Sequence, residues 1–579
     1  MVIDPLIKRL SEKVNIHDVT VRRVQAHTSG FADDLAITVV GKIKNRLIVL
    51  GKADEAMKIV ENWCDEVKLK VNPNKTFAMR FTKGKVKWEI DNVRIFGQKI
   101  KWVDTIKYLG VTLDKNLCWK PHIKEIITKS KRALFASRAM LEKDGGLSPK
   151  NMKWVLNQII TPRITYGAIV WWRVIEVKKI YSQLLSIQRF ACMMISGATK
   201  TTPTFSLMNL LGIIPIDIRI KMCALSTCVR IMATKSWKQN NLTYSHTRIV
   251  DCIGEITDGK NFDCVKQTWN INNNFSIKAN ENLRWHDGLP DNYKNNCWFV
   301  DGAKNKERAA VGLWDSSRNV SVSYRLSDNS SSVQSEILAI CICADQIRFR
   351  GSAREEVFIM SDSLSALKML EKRTIDSKVV MDCRDALNKL GRRTRVKLIW
   401  VPGHKNIYGN IKADKAAKNG LIRSSVDVEV PLNKKFLMKA IERQTEILAN
   451  RKWAEVKIRL KSAKGYIGSY NDKKSKELLR LGRADLRVII GFHTGHGCCN
   501  HYLFKLNKVN SPLCRYCSDG KSETIEHWIE KCRGLEALRY KHTGELTLDN
   551  NKFKSIELSK LIKFAKESRI YETFFFWEN

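Results

Sequence analysis

Apolar residues recur with two different periods in the first 114 residues of the chain. Residues 31–40 read FADDLAITVV, a run rich in apolar and β-branched residues that is typical of a strand. Between residues 53 and 68, apolar side chains recur at the i, i+3, i+4 and i+7 positions that form one face of a helix. These residues therefore predict alternating strands and helices.

Helical spacing continues through residues 115–235, which we predict to be a helical connector. Residues 236–294 contain many Asn, Thr and Asp residues and have weak periodicity, so we predict a linker there. Residues 432–579 return to helical spacing and are rich in Lys and Arg. They predict a basic helical C-terminal region.

Residues 295–422 show a third pattern, in which strand-like stretches come first and helical stretches are then interspersed with strands. We predict strands at 297–300, 309–314, 320–326, 356–360 and 396–401. We predict helices at 333–349, 363–371 and 379–390, and a short helix near Ala413. This order favours a mixed sheet covered by helices, so the whole chain is predicted to be multidomain, with α+β and α/β parts.

The net charge of the chain limits the classes of partner that it is expected to bind. The 579 residues include 101 Lys and Arg but 59 Asp and Glu, which leaves a net charge of +42. Such a chain repels itself unless a polyanion neutralises it, so nucleic acid is the expected partner and an anionic membrane surface the alternative. No run of about 18 uncharged apolar residues occurs. We expect neither a membrane span nor a small-molecule substrate.

The N-terminal residues MVIDPLIKRLSEK lack the apolar segment and cleavage site of a secretory signal. We therefore expect an intracellular protein, in the nucleus or the cytoplasm, that is not secreted. In such a reducing compartment the 16 cysteines are expected to be core residues or metal ligands rather than disulfides.

Four acids lie where the predicted elements do not require them. Asp301 ends the first predicted strand, Glu336 lies in the first turn of the next helix, Asp362 ends the fourth strand and Asp414 opens the last helix. Any single Asp at a strand end is more often a turn residue or a helix cap. Four converging carboxylates, however, repel one another unless hard cations bind, so the set predicts a two-Mg²⁺ site.

The stretches FVDGA, SEILAI, SDS and WVPGHKN…GN…AD contain these acids, and with them residues 295–422 resemble a type-1 ribonuclease H domain. The resemblance implies that RNA in RNA–DNA hybrids is hydrolysed by a catalytic quartet that binds two Mg²⁺ ions, namely Asp301, Glu336, Asp362 and Asp414. It also implies that His404 assists proton transfer or product release. Ile411 departs from the family pattern, which commonly has an acid at that position.

Asp33 and Asp34 are adjacent acids within an apolar run, as expected for a hairpin tip that presents Asp33 to a metal ion. The stretches VNPNKT and KYLGVTLD follow in order, and the set resembles the later palm motifs of a reverse transcriptase. With LCWKPHI, TPRITYGAIVWW and SGATKTTPTFSLMNLL, it resembles the jockey-type non-LTR retrotransposon polyproteins. The resemblance implies that residues 1–114 are palm and residues 115–235 are thumb and connector.

The resemblance to a polymerase is incomplete. Such enzymes need a further catalytic Asp, the fingers and a template-binding loop before the FADD turn, whereas 30 residues precede Phe31 in this chain. We therefore predict a truncated palm in which Asp33 and Asp34 are vestigial, and no reverse transcription by this chain alone. A start upstream of Met1 would restore that function.

A Cys/His cluster at residues 514–532 has the ligand spacing of a structural zinc site, with Cys514, Cys517, His527 and Cys532. Unrelated core residues are the alternative interpretation, and other nearby ligands remain open, namely Cys498, Cys499 and His501. GFHTGHGCCNHYLFKL and LCRYC…ETIEHWIEKC resemble the C-terminal module of the same retroelements, which supports the 514–532 set.

Four aromatic residues of the connector, Trp154, Tyr166, Trp171 and Trp172, lie among Lys and Arg residues. Aromatic side chains beside cations can stack on bases, but filling a helical core is the more common role of each.

The predicted function is Mg²⁺-dependent endonucleolytic hydrolysis of RNA in RNA–DNA hybrids, with binding of RNA and DNA and one structural Zn²⁺ ion. A catalytically inactive, nucleic-acid-binding transposon remnant is the first alternative. The second is part of an RNA-directed DNA polymerase, if the chain extends upstream.

Overall fold

The computed structural model describes residues 4–13, 25–41, 46–81, 93–138, 140, 146–233, 249, 252, 261–265, 268–269, 272–278, 297–351, 355–403, 405–456 and 465–575. The chain divides into two compact units, residues 1–129 and residues 130–579. The first unit therefore extends beyond the predicted boundary at residue 114.

A β-hairpin and two helices organise the first unit. Strands β1 (Gln25–Phe31) and β2 (Asp34–Val40) pair antiparallel, and the turn between them begins at Ala32, which has a positive φ of 53°. The hairpin tip predicted at Asp33 and Asp34 is therefore confirmed, and the strand-like run 31–40 is divided by this turn. Helices α1 (Asp4–Lys13) and α2 (Arg46–Val67) share an apolar core that includes Leu6, Leu10, Ala56, Val60 and Trp63.

Short paired strands complete the first unit. They are β3 (Phe77–Ala78), β4 (Arg94–Ile95), β5 (Gln98–Lys99), β6 (Lys101–Trp102), β7 (Thr105–Tyr108) and β8 (Val111–Asp114). β3 pairs parallel with β6, whereas β4 pairs antiparallel with β5 and β7 with β8. Helix α3 (Lys120–Arg138) follows and runs past the division between the units.

The connector is helical, as predicted. Its helices are α4 (Pro149–Val155), α5 (Thr161–Thr165), α6 (Ala168–Trp171), α7 (Lys178–Ser196), α8 (Thr204–Leu210) and α9 (Ile216–Ala233). A π-helical turn at Leu156–Ile160 joins α4 to α5. Trp171 and Trp172 are buried, whereas Trp154 and Tyr166 are more than half exposed. The prediction that these aromatic residues fill a helical core is therefore confirmed for Trp171 and Trp172 and wrong for Trp154 and Tyr166.

A six-stranded sheet forms the centre of residues 272–422. Its strands are β10 (Phe275–Lys278), β11 (Cys297–Lys304), β12 (Ala309–Asp315), β13 (Val320–Leu326), β14 (Glu356–Ser361) and β16 (Arg395–Trp400). The strand order is β10-β16-β14-β11-β12-β13. The first four are parallel neighbours, and β12 and β13 continue the sheet antiparallel. The predicted mixed sheet is confirmed.

Helices cover both faces of this sheet. They are α10 (Ser332–Phe349), α11 (Leu364–Glu371), α12 (Lys378–Gly391) and α13 (Tyr408–Ile422). Apolar residues of α10, α11 and α12 pack on one face, and Ala413 of α13 belongs to the core on the other face. The helix predicted near Ala413 is therefore longer than a short turn.

Part of the predicted linker belongs to the sheet. β10 lies inside residues 236–294 and pairs in parallel with β16, so the linker prediction is wrong at that segment. A second strand of the same range, β9 (Thr268–Trp269), pairs antiparallel with β15 (Thr374–Ile375). These strands were missed because a two- to four-residue edge strand carries too little periodicity to be recognised.

Two glycines let helices approach the sheet closely. A Cβ atom at Gly302 of β11 would lie 2.6 Å from the backbone nitrogen of Glu336 in α10. One at Gly312 of β12 would lie 2.2 Å from the carbonyl oxygen of Ala413 in α13. Since Gly312 pairs with Asp301 in the ladder, both contacts bring helix backbone next to that aspartate.

The C-terminal region is helical, as predicted. Its helices are α14 (Lys434–Glu455), α15 (Asp472–Leu478), α16 (Arg483–Thr494), α17 (Asn500–Lys505), α18 (Glu536–Thr543), α19 (Asn550–Ser555), α20 (Leu558–Glu567) and α21 (Ile570–Thr573). The region packs on the connector: Arg483 donates hydrogen bonds to the carbonyl oxygens of Met194 and Leu147, and Lys452 pairs with Asp217. The predicted connector and tail thus share one compact unit.

In the described ranges, no helix has both the length and the apolar surface that crossing a lipid bilayer requires.

The close approach at Gly312 gives a first testable expectation. Gly312→Ala should force α13 away from β12 and lower the free energy of unfolding by about 1–3 kcal/mol, because a methyl group has no space there. Gly468→Ala is the control, since a Cβ atom at Gly468 would meet nothing within 4 Å and φ is not positive. Thermal unfolding of both variants and the wild type would measure the difference, and equal midpoints would contradict the packing argument.

Candidate metal centres

Three of the four predicted acids form one cluster, which we call the acid triad: Asp301, Glu336 and Asp362. One carboxylate oxygen from each lies within 4.8 Å of the others. β11 and β14 are parallel neighbours, so Asp301 in β11 and Asp362, the residue after β14, lie on adjacent strands. Gly302 brings the α10 backbone to the same point, which places Glu336 beside them.

Two predicted positions within elements need correction. Asp301 does not end its strand, because β11 continues to Lys304. Glu336 is the fifth residue of α10, beyond the first turn, because that helix begins at Ser332 after a capping box formed by Ser331 and Gln334.

Two acids of the triad, Asp301 and Glu336, resist ionisation in the absence of metal. Burial raises the pKa of Asp301 to about 6, with further increases from the charges of Asp362 and Asp414. Burial raises the pKa of Glu336 to about 9, again with the charges of Asp301 and Asp362 adding to the effect. The Gly302 backbone N–H opposes both shifts. Carboxylates crowded in this way favour a bound cation.

Asp414 lies outside the 4.8 Å triad but within electrostatic reach of it, because its charge raises the pKa of Asp301. It is the seventh residue of α13, which begins at Tyr408, so it does not open the helix as predicted. Its Oδ2 accepts a hydrogen bond from Lys418 Nζ at 2.5 Å. The quartet is therefore a triad with a fourth acid that is paired with an ammonium group.

Two neighbours of the triad were not recognised from the sequence. Asn410 Nδ2 donates to Asp362 Oδ2 at 3.2 Å, and Trp400 Nε1 donates to the Asp362 carbonyl oxygen at 3.1 Å. Asn410 precedes Asp414 by four residues, so the helical i, i+4 relation could have revealed that both lie on one face of α13. Together these bonds hold Asp362 in position.

The chemistry of the triad fits a hard divalent cation. The Oε2 atom of Glu336 and the Oδ1 atom of Asn410 are buried without a hydrogen-bond partner. Unpartnered buried oxygens are costly, and oxygen ligands are the ones that Mg²⁺ prefers. Asp301, Glu336 and Asp362 could therefore hold such an ion.

His404 lies outside the described residues, so its role stays a prediction. Ile411, the departure from the family pattern, is exposed on α13.

The FADD turn presents its two acids to solvent. Asp33 lies in the turn of the β1–β2 hairpin and Asp34 begins β2, and both are exposed. In the part of the chain that the structure describes, neither belongs to a group of three or more side chains that could hold a metal ion.

The Cys/His cluster predicted at residues 514–532 is assembled. Ligand atoms of Cys514, Cys517, His527 and Cys532 all lie within 4.8 Å of one another. Cys514 Sγ is 3.7 Å from Cys532 Sγ, and Cys517 Sγ is 3.3 Å from His527 Nε2. The π-helical turn His527–Lys531 ends before Cys532, whose extended backbone turns its thiol back toward the cluster.

A buried carboxylate supports the first two cysteines. Glu523 is fully buried, and its oxygens accept hydrogen bonds from the backbone N–H groups of Asn500 and Arg515 and from the Arg515 guanidinium. The alternative ligands Cys498, Cys499 and His501 do not belong to the four-residue cluster. Sequence reasoning did not single out Glu523.

Burial shifts the pKa values of Cys532 and His527 toward their uncharged forms. Burial raises the pKa of Cys532 to about 12, and the charge of Cys514 adds to this increase. Burial lowers the pKa of His527, which favours the neutral imidazole that binds metals. Three thiols and one imidazole form the soft donor set of a closed zinc site.

Two family profiles match the sequence of this chain. The ribonuclease H family profile matches residues 293–422, and the reverse transcriptase (RNA-dependent DNA polymerase) profile matches residues 1–113. The class of protein is thus defined: the chain carries a ribonuclease H domain and a reverse transcriptase segment.

Individual relatives narrow the class. The chain is 29% identical over 255 residues to the 115 kDa protein in type-1 retrotransposable element R1DM of Drosophila melanogaster, covering 44% of this chain and 24% of that protein. It is 28% identical over 216 residues to the retrovirus-related Pol polyprotein from type-1 retrotransposable element R1 of Nasonia vitripennis, covering 36% of this chain and 61% of that one.

The predicted resemblance to a non-LTR retrotransposon polyprotein with reverse transcriptase and ribonuclease H domains is therefore confirmed. The chain spans about a quarter and about three fifths of the length of these two relatives.

The raised pKa values predict how pH affects the metal-free protein. An unfolded Asp or Glu titrates near pH 4, so the folded protein binds more protons than the unfolded chain between about pH 4 and the raised values. The stability that protonated Asp301 and Glu336 contribute is complete below about pH 4 and is lost as pH rises through about 6 for Asp301 and about 9 for Glu336.

Glu336→Gln should therefore raise the free energy of unfolding of the metal-free protein at pH 8 by about 1–3 kcal/mol, because Glu336 is ionised in the unfolded chain and must take up a proton when folding buries it, whereas Gln need not. At pH 5 the gain should shrink, since Glu336 is already partly protonated in the unfolded chain there. Thermal unfolding in EDTA at both pH values would measure this. Glu371→Gln, at an exposed position of α11, is the control, and equal behaviour of the two variants would refute the assignment.

Proposed function

We propose that residues 293–422 hydrolyse the RNA strand of RNA–DNA hybrids in a Mg²⁺-dependent reaction. The observation that carries the proposal is the acid triad, whose carboxylate oxygens lie within 4.8 Å of one another in a domain that matches the ribonuclease H family. Hydrolysis of nucleic acid follows from the family, and hybrid selectivity and Mg²⁺ dependence are the finer parts of the proposal.

The residues of the site have separable tasks. Asp301, Glu336 and Asp362 hold the metal, and Asn410 orients Asp362 through the amide hydrogen bond. Asp414 on α13 contributes the fourth carboxylate. Two Mg²⁺ ions, when bound, supply a water of lowered pKa and neutralise charge on the scissile phosphate. The raised pKa values of Asp301 and Glu336 mean that cation binding there displaces protons.

The proposed substrate class follows from the net charge of the protein and from the chemical difference between RNA and DNA strands. A net charge of +42 supports contact with the phosphate backbone, which does not distinguish sequences. The 2′-hydroxyl and the hybrid's shape distinguish RNA from DNA. We therefore expect cleavage that depends on strand type rather than on base sequence.

Asp362→Asn is the direct test. It removes a metal ligand with little change in volume, so Mg²⁺-dependent cleavage of a labelled RNA–DNA hybrid should fall at least about a hundredfold while the fold survives. The wild type should leave 3′-hydroxyl and 5′-phosphate ends. Asp382→Asn, at a partly exposed position of α12 where the carboxylate pairs with Lys378, should cleave like the wild type. Cleavage retained by Asp362→Asn would contradict the proposed role of Asp362. No cleavage by the wild type would favour a nucleic-acid-binding protein without catalysis.

Templated DNA synthesis is a second candidate function, favoured by the reverse transcriptase match over residues 1–113. We infer that residues 1–129 do not build a two-metal polymerase site by themselves, because Asp33 and Asp34 are exposed and join no third acid among the described residues. Primer extension by the 579-residue chain, measured on a primed template, would contradict this inference.

We also propose that Cys514, Cys517, His527 and Cys532 hold one Zn²⁺ ion whose role is structural, since four protein ligands leave no position for water. Cys514→Ser should lose the metal and lower the thermal stability of the C-terminal region, because zinc binding contributes folding free energy. Hybrid cleavage should continue, since the triad uses other ligands.

Zinc content after gel filtration is the primary measurement for this site. The wild type should retain about one equivalent and Cys514→Ser less than about half an equivalent. Cys499→Ser serves as the matched control, because Cys499 lies nearby but outside the cluster. Loss of zinc in Cys499→Ser but not in Cys514→Ser would contradict this ligand assignment and favour ligands among Cys498, Cys499 and His501.

A further inference from the structure

Lys418 lies one helical turn after Asp414 on α13 and donates a hydrogen bond from Nζ to Asp414 Oδ2 at 2.5 Å. In the described ranges it is the one basic side chain that forms an ion pair with any of the four acids. Its charge also reaches the triad, because it lowers the pKa of Asp301.

The ion pair between Lys418 and Asp414 is expected to be weak, which matters for metal binding. Both side chains are partly exposed, and an exposed i, i+4 ion pair on a helix contributes at most about 1 kcal/mol. A divalent cation that takes Asp414 as a fourth ligand carries twice the charge of the Lys418 ammonium and competes with it for the same carboxylate.

We propose that Lys418 is a built-in counter-ion of Asp414 that a divalent cation must displace, so that it sets the metal concentration at which the four-acid site fills. The proposal rests on the metal site of the proposed function and adds a positioning residue that holds Asp414 in the metal-free state. Lys418 need not contact substrate.

Removing this competitor should tighten metal binding. In Lys418→Gln, the weaker Mn²⁺ binding event should have a dissociation constant about two- to fivefold lower, which corresponds to the contribution of an exposed ion pair. Free Mn²⁺ would be measured by electron paramagnetic resonance in the full-length, zinc-loaded protein without nucleic acid. Lys418→Arg retains the positive charge and should bind Mn²⁺ like the wild type.

Lys415→Gln is the matched control, because Lys415 is exposed on the same helix next to Asp414 and its replacement removes the same net charge. Lys418→Gln should bind Mn²⁺ more tightly than Lys415→Gln. The difference in affinity should shrink at high KCl, because salt screens exposed ion pairs. Equal affinities of the two Gln variants would overturn the inference, since the effect would then be one of net charge.

The outcomes separate this inference from the proposed function. If Lys418→Gln tightens Mn²⁺ binding but no variant cleaves hybrid, the nuclease proposal falls and the counter-ion role stands. If hybrid is cleaved and the two Gln variants bind Mn²⁺ equally, the counter-ion role falls alone. Mn²⁺ binding that Asp362→Asn does not weaken would overturn it as well, because the metal would then lie elsewhere.

Discussion

The crowding of carboxylates at the mouth of the central sheet is the constraint on which the rest of this domain depends. Asp301 and Asp362 come together because β11 and β14 are neighbouring strands, and Glu336 joins them because α10 approaches β11 at Gly302, where a side chain would collide with the helix backbone. Burial and mutual repulsion then raise the pKa of Asp301 and Glu336. The fold thus places these carboxyl groups in surroundings that disfavour their charged form.

The two metal-binding clusters differ in the chemistry of their ligands. The acid triad offers hard oxygen donors between a sheet and a helix, whereas the Cys/His cluster offers soft donors in a loop and a single π-helical turn supported by Glu523. Hard cations prefer the first and zinc the second. The two clusters therefore favour different ions.

The connector and the C-terminal region belong to the same compact unit as the ribonuclease H domain. Arg483 and Lys452 link the C-terminal helices to the connector through backbone carbonyls and Asp217. A chain similar to R1 polyproteins thus places its Cys/His cluster within the unit that carries the acid triad.

Local patterns in the sequence determined the strands and helices of residues 295–422, the four acids, and the Cys and His ligands, because periodicity and ligand spacing are short-range properties. The edge strand β10 inside the predicted linker and the contacts of Asn410 and Glu523 depended on partners distant in the sequence. Burial separated Trp171 from Trp154, although both lie among cations in the sequence. Only the tertiary structure decided these, since long-range packing determines which groups lose water and which charges meet.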